Sequence, residues 1–379
     1  MSTDNSVFSE PFGVLWRSAL VKLPRYVPSQ IIHLTSPEGP HPFMLSLPSR
    51  GKALIPNYVF VPTDLTPDEA SSLPVVIDFH GGGFYLGSTL EQAPFCAKMA
   101  RELRAAVITV DYRLGPIEKY PAAIEDAEDV LRSVLDETFK GYHVLRDAVA
   151  AKVKENYKHT DGTVEIPMKV RLDRQRIAIS GFSSGGNLAL NMALSIGKTE
   201  NSPAWPSAIP NDFPARVPLL LYYPSLDARQ LPSERTCPVG LHMSHGFFSE
   251  LSDLLAPTYL PRNKAAEPRA SPGLADLEGL HAKARMLLVL SGLDSLAEQS
   301  ETWVKKVQDG GRGDDLKVER YPDMKHGWTQ MPESWLNEEE KRTRRQIFTK
   351  TVRFTKDIWA GKDTADAGEL KLTEPPAVE

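Results

Sequence analysis

Short apolar runs alternate with amphipathic stretches along most of the chain. Leu73-Pro-Val-Val-Ile-Asp-Phe79 is nearly continuous, as are 105–110, 177–180, 219–223 and 286–290; 318–321 is a weaker last run. Helical spacing fills about 92–104, 121–137, 184–196 and 296–308, and 338–359 closes the pattern as a long helix. Buried strands alternating with helices predict an α/β fold, a mostly parallel sheet covered on both faces. Ahead of it, 31–35 and 43–47 flank Ser36-Pro-Glu-Gly-Pro40, which predicts a hairpin, and 58–61 is a further strand. Residues 8–23 place Phe8, Phe12, Leu15, Trp16, Ala19, Leu20 and Leu23 at helical spacing. That reads as a helix packed on the body of the protein, a lid over a pocket being one such packing. Membrane contact through Phe12 and Trp16, with Arg17 and Lys22 beside them, is the alternative.

Two stretches interrupt the alternation. Residues 139–172 are a polar, Lys-rich insertion, and 225–283 are Pro-rich and irregular. Long segments of this kind inside an α/β domain are usually lids or binding elements. The 379 residues would suit two or three domains of ordinary size, and 31 prolines point to many turns and irregular connections. The balance of 44 basic against 49 acidic residues leaves −5, which argues against a nucleic-acid partner. Cys96 and Cys237 stand far apart, which excludes a disulfide scaffold. No apolar stretch approaches the ~18–20 residues of a membrane span. The start lacks a basic and an apolar leader segment. The expectation is a soluble, cytoplasmic protein without stable membrane insertion.

Gly181-Phe182-Ser183-Ser184-Gly185 has the form Gly-x-Ser-x-Gly and lies between a buried strand and an apolar helix. That strand–turn–helix context is what a nucleophile elbow requires: the turn is too tight for flanking side chains, and the serine stands exposed. A Gly-rich turn without chemical meaning is the alternative for this motif alone. His80-Gly81-Gly82-Gly83-Phe84 directly follows the first core strand. Three glycines leave backbone N–H groups open to a ligand oxygen, as stabilisation of a developing oxyanion needs. A phosphate loop would need a Lys-Ser/Thr that is absent here.

At this point the sequence resembles the hormone-sensitive-lipase-like branch of the α/β-hydrolases, the HGGG-type carboxylesterases. The likeness covers about 60–379 and rests on His80–Phe84, on Val110-Asp-Tyr-Arg-Leu-Gly-Pro116 running to Tyr120-Pro-Ala-Ala123 and Asp126, and on Gly181-Phe-Ser-Ser-Gly-Gly186. It implies the α/β-hydrolase fold with a helical cap. The organisation becomes an N-terminal cap segment and entry hairpin at 1–50 and a catalytic domain at 51–379, with insertions at 139–172 and 225–283, the latter a lid. Chain order in this fold is nucleophile, acid, histidine. Asp294 follows the run 286–290 and His326 follows the last strand, which makes Ser183, Asp294 and His326 the expected triad; Glu298 is the reserve acid, and a helix N-cap is the alternative role for Asp294. In that reading His326 takes the Ser183 proton and returns it to the leaving alcohol, Asp294 holds the imidazole, and water resolves the acyl-enzyme. The oxyanion hole would comprise Gly82 and Gly83, from the family pattern, and the Ser184 N–H, from the elbow. His80 is read as structural, and Arg113 with Asp126 as a buried support pair.

Phe182 and Ser295 depart from the family's usual Asp and Pro. Substrate contacts are expected from Phe84, Phe182, Trp16 and Phe247, with His242, Met243 and Phe248 also on the wall; these predict a small or medium, largely apolar ester. Neither cofactor nor metal is expected: His242 and His245, three apart, lack carboxylate companions. Glu338–Glu340 followed by Lys341-Arg-Thr-Arg-Arg345 reads as a solvated helix face that suits the helix dipole. The partner is a small-molecule ester, and a homodimer is left open. Acyltransferase, thioesterase, dehydratase or lyase chemistry on the same fold is one alternative, and a non-catalytic small-molecule receptor, which would typically lose a triad member, is another.

Overall fold

The computed structural model describes residues 38–50, 54–161, 169–198, 203–238 and 247–369, with the side chains of 158–161 and 247–250 left aside. In chain order the principal elements are β1 (Phe43–Pro48), β2 (Leu54–Phe60), α1 (Pro67–Ser71), β3 (Leu73–Phe79), α2 (Ala93–Leu103) and β4 (Ala106–Val110). There follow α3 (Ala122–Leu135), α4 (Lys140–Asp161), β5 (Leu172–Phe182), α5 (Ser184–Met192) and β6 (Val217–Tyr222). The chain continues through α6 (Phe247–Tyr259), β7 (Ala284–Leu293), α7 (Ala297–Asp309), β8 (Leu316–Lys325) and α8 (Glu338–Trp359).

The eight strands form one sheet in the order β1-β2-β4-β3-β5-β6-β7-β8. Pairing is antiparallel at β1–β2 and β2–β4 and parallel from β4 onward. Every residue of β3, β4 and β6 is buried, as continuous apolar runs require when both faces are covered. Alternation along the strands splits the core in two. Val75, Ile77 and Phe79 face α3 and α5 together with Ile177, Ile179, Leu219, Leu221 and Leu288. Val76, Ala178, Leu220, Leu287 and Val289 face α2 and α8, where Phe95, Met99, Ile347, Phe348 and Ile358 cover them. Each such side chain contributes about 1.5–3 kcal/mol by leaving water. The two layers fix the sheet, and with it the row of loops at the carboxyl ends of β3, β5, β7 and β8.

The strand read over 43–47 is β1, paired with β2 from Phe43↔Val59 to Pro48↔Leu54; its expected hairpin partner, the run 31–35, lies outside the described residues. Two expectations change here. The polar stretch after residue 139 contains a 22-residue helix, α4, laid along α3 and β1 with Tyr142, Leu145, Val149 and Val153 buried. The segment 225–283 holds α6 and four short 3₁₀ turns. The predicted helix at 8–23 lies outside the described residues.

Candidate active site

β5 ends at Phe182, and the chain turns into α5 at Ser183. Ser183 sits at φ 55°, ψ −115°, a conformation that costs a residue with a Cβ about 1–3 kcal/mol. The turn leaves no room on either flank. A Cβ on Gly181 would run into the Gly185 carbonyl, one on Gly185 into the carbonyls of Phe79 and His80, and one on Gly186 into Pro224. The Ser183 backbone is held by its N–H donating to Tyr222 O at 2.9 Å and by its carbonyl accepting from Ser225 N at 3.0 Å.

Asp294 and His326 meet at this serine. Asp294 lies just past β7 and is 2 % exposed; one carboxylate oxygen accepts the Leu296 N–H at 2.8 Å. The other lies 2.7 Å from His326 Nδ1, and His326 Nε2 lies 3.0 Å from Ser183 Oγ. An ionised carboxylate only accepts, so Nδ1 carries the proton and Nε2 is left to accept from the serine hydroxyl. Tyr223, at the end of β6, packs edge-on to the His326 ring at 4.9 Å between centroids and fixes its plane. Glu298 and Asp323 are exposed and make no such contact.

The loop after β3 faces the same point. Gly82 and Gly83 have φ of +123° and +63°. Among the described residues neither amide donates to a backbone carbonyl, and the Ser184 N–H opens α5, where it has no intrahelical partner. Gly82 and Gly83 line the cavity at Ser183, with the Ser184 amide directly behind the serine, and such amides can meet the oxygen of a tetrahedral intermediate as it takes on negative charge. His80 is fully buried, stacked on Tyr112 at 4.3 Å, and its Nδ1 pairs with Gly81 O at 2.6 Å. The Tyr112 hydroxyl in turn donates to His80 O at 2.7 Å, so this histidine braces the loop. Arg113 pairs through Nε with Asp126 at 2.9 Å and through its own N–H at 2.8 Å; Asp126 is buried, but the Arg113 side chain is 29 % exposed. Burial raises the Asp126 carboxyl above its ordinary range, partly offset by Arg113.

A cavity of about 1070 Å³ opens over Ser183 and His326. Phe84 lines it and stacks on Tyr259 at 4.7 Å. Phe182 does not. It is 0 % exposed and turned away from the cavity, stacked on Tyr222 at 4.4 Å and edge-on to Phe95 at 5.2 Å. The reason is strand alternation: the residue before the nucleophile points into the layer under α2 and α8, so the expected substrate contact is corrected to a core residue. Trp16, His242, Met243 and His245 lie outside the described residues, as do the side chains of Phe247 and Phe248. Apolar lining comes instead from Leu86, Leu90, Leu296, Met331 and Trp335. Arg235 is a wall residue that sequence reasoning missed; it sits in an irregular Pro-rich stretch with no spacing signal. Tyr223 was missed too, because it reads as one more apolar residue in its run. Among the described residues no group of three or more His, Cys, Asp or Glu could hold a metal.

The α/β-hydrolase fold model matches residues 76–330, well over half of the chain. The chain belongs to the alpha/beta-hydrolase family. Among relatives of this alpha/beta hydrolase, a carboxylic ester hydrolase of Mycobacterium tuberculosis is 27 % identical over 260 residues, 66 % of this chain and 56 % of that protein. A 3-O-acetylpapaveroxine carboxylesterase of Papaver somniferum is 38 % identical over 125 residues, 32 % of this chain and 34 % of that one. Both matches span less than two thirds of the relative's own length. A solved hyperthermophilic esterase of the archaeon Pyrobaculum calidifontis superposes with a TM-score of 0.60 at 25 % identity, covering 90 % of this chain and 98 % of that one. These likenesses agree with the HGGG-type resemblance carried by His80–Phe84 and Gly181–Gly186. Among its described residues this alpha/beta hydrolase has no helix long and apolar enough to cross a membrane.

Proposed function

We propose that the protein is a serine carboxylesterase that hydrolyses a small or medium, largely apolar ester through an acyl-enzyme on Ser183. The observation that carries this is the continuous relay from Asp294 through His326 to Ser183 Oγ at the floor of a cavity bordered by glycine amides. In the first half-reaction His326 Nε2 accepts the Ser183 proton as Oγ attacks the ester carbonyl. The oxyanion is met by the N–H groups of Gly82, Gly83 and Ser184, and the leaving alcohol takes the proton from His326. Water repeats the sequence in reverse on the acyl-enzyme. Asp294 keeps the imidazole oriented and balances the imidazolium. Apolar parts of the ester lie against Leu86, Leu90, Leu296 and Met331, with Phe84 beside the oxyanion amides. Residues 51–379 then act as the catalytic domain, and 225–283, which supplies Ser225, Leu231, Ser252 and Ala256 to the cavity, acts as its lid. The test is turnover of p-nitrophenyl butyrate by wild type and Ser183→Ala, with a fluorophosphonate probe read by mass spectrometry. Loss of turnover together with a Ser183 adduct in wild type supports the reading; turnover that survives the substitution ends it.

A further inference from the structure

Three arginines line the cavity wall, and two are occupied. Arg262 donates to Ala228 O at 3.3 Å and lies 3.5 Å from Glu234. Arg344 donates to Met331 O at 2.9 Å and lies 3.4 Å from Glu333. Arg235 differs. Its guanidinium makes one marginal contact, Nη2 to Gln230 O at 3.5 Å, and its Nε, sealed from solvent, has no hydrogen-bond partner among the described residues. Among the described residues, the acids whose field reaches it are engaged elsewhere. Asp227 pairs with Arg229 at 2.6 Å, Asp253 accepts the Ser233 N–H at 3.2 Å, and Asp294 holds His326. Their field reaches Arg235 only partially, and burial remains the larger effect, lowering its pKa from the ordinary arginine value. A guanidinium stays charged at any physiological pH and carries five donors in a planar fork. A half-buried guanidinium whose sealed Nε has no partner among the described residues carries an uncompensated cost, and a planar anion arriving in the same cavity relieves it.

Taking the ester-hydrolase reading as its basis, we propose that Arg235 is a specificity-determining residue that pairs with a carboxylate carried by the ester, so that the preferred substrate has an apolar body and one anionic group. The carboxylate belongs either to the acyl part, as in a dicarboxylic half-ester, or to the alcohol part, and Arg235 in the cavity over Ser183 can serve either. The Ser183 chemistry is unchanged; the arginine adds binding at a distance from the reacting carbonyl.

The test compares carboxylates with their uncharged carboxamide isosteres in the full chain. Mono-p-nitrophenyl glutarate against p-nitrophenyl 4-carbamoylbutyrate reads the acyl side, and 3-carboxyphenyl against 3-carbamoylphenyl butyrate reads the alcohol side. Wild type is expected to favour the carboxylate by about 10–100-fold in kcat/KM on one side, mainly through KM. Arg235→Gln should collapse that ratio by about the same factor, and Arg235→Lys should keep part of it. A wild-type ratio near one on both sides overturns the proposal, as does a ratio that Arg235→Gln leaves intact. Should the variant fail to fold, wild type alone decides: glutarate must inhibit p-nitrophenyl butyrate turnover competitively and lose potency with salt, while glutaramide does not, and equal behaviour of the two overturns it. Ser183-dependent turnover without charge preference refutes this inference alone. Absence of any Ser183-dependent turnover refutes the ester-hydrolase reading and this inference with it.

Discussion

Replacing Phe182 by alanine removes a ring that is wholly buried between Tyr222, Phe95 and Tyr223. Withdrawing the side chain from the core costs about 1.5–3 kcal/mol. The stacked Tyr222 and edge-on Phe95 pairs add about 0.5–1.5 kcal/mol each. Together they give about 2.5–6 kcal/mol, which brackets the usual ~3–5 kcal/mol for Phe→Ala in a core, and that narrower range is taken. With an unfolding entropy of roughly 2.1 cal/mol/K per residue, 379 residues carry about 0.8 kcal/mol/K, so Tm should fall by about 4–6 °C. Thermal unfolding followed by near-UV circular dichroism measures this. In parallel, kcat/KM for p-nitrophenyl butyrate and octanoate reads chain-length preference, whose ratio should stay within about twofold because the ring does not touch the cavity. Phe182→Leu should recover most of the stability. An unchanged Tm with a shifted chain-length ratio would refute the placement of Phe182 in the core.

Further outcomes are expected from the same geometry. Asp294→Asn should lower kcat on p-nitrophenyl butyrate by about 10⁴-fold while leaving the fold intact, since the amide no longer dictates the His326 tautomer; a loss under tenfold would show that another acid serves His326. Gly185→Ala should abolish fluorophosphonate labelling, because its Cβ displaces the carbonyls of Phe79 and His80 that carry the glycine loop; full labelling would contradict the tight packing of elbow and loop. Asp78, buried beside Ser180 and Cys96, has its carboxyl pushed up to about 7 by burial. Unfolded, it titrates near about 4, so between those values the folded chain holds a proton that the unfolded chain has released, and stability falls as pH rises through that window. Asp78→Asn removes this slope. Urea midpoints from pH 5 to 8 should show wild type losing on the order of 1–4 kcal/mol relative to the variant, and parallel curves would contradict the assignment.

The apolar runs were legible because both faces of the sheet are covered, so the strands carry no polar face to disguise them. The elbow was legible because Gly181 and Gly185 answer a steric demand that no other residue satisfies, and Asp294 and His326 because they close separate strands at the sheet's carboxyl edge. What escaped reading depended on long-range geometry. The direction of Phe182 follows from the pleat of β5, which a motif centred on Ser183 hides. The pairing of β1 with β2 depended on register between two runs that no turn motif joins. Arg235 carries no local signal: its role turns on the absence of a partner among the described residues, which appears only once the wall is assembled.

The backbone at Ser183 has a consequence for how this chain bears change. A residue with a side chain is kept at φ 55° because its neighbours leave it no alternative. Glycine would accept that angle freely, trading the strain for a smaller entropic cost of about 0.5–1 kcal/mol. Selection for stability alone would therefore erase the hydroxyl, and a screen of random variants for heat resistance would be drawn toward Ser183→Gly, a firmer protein stripped of the nucleophile that the proposed mechanism requires. The serine persists as a debt carried by the fold, met by the two buried layers on either side of the sheet.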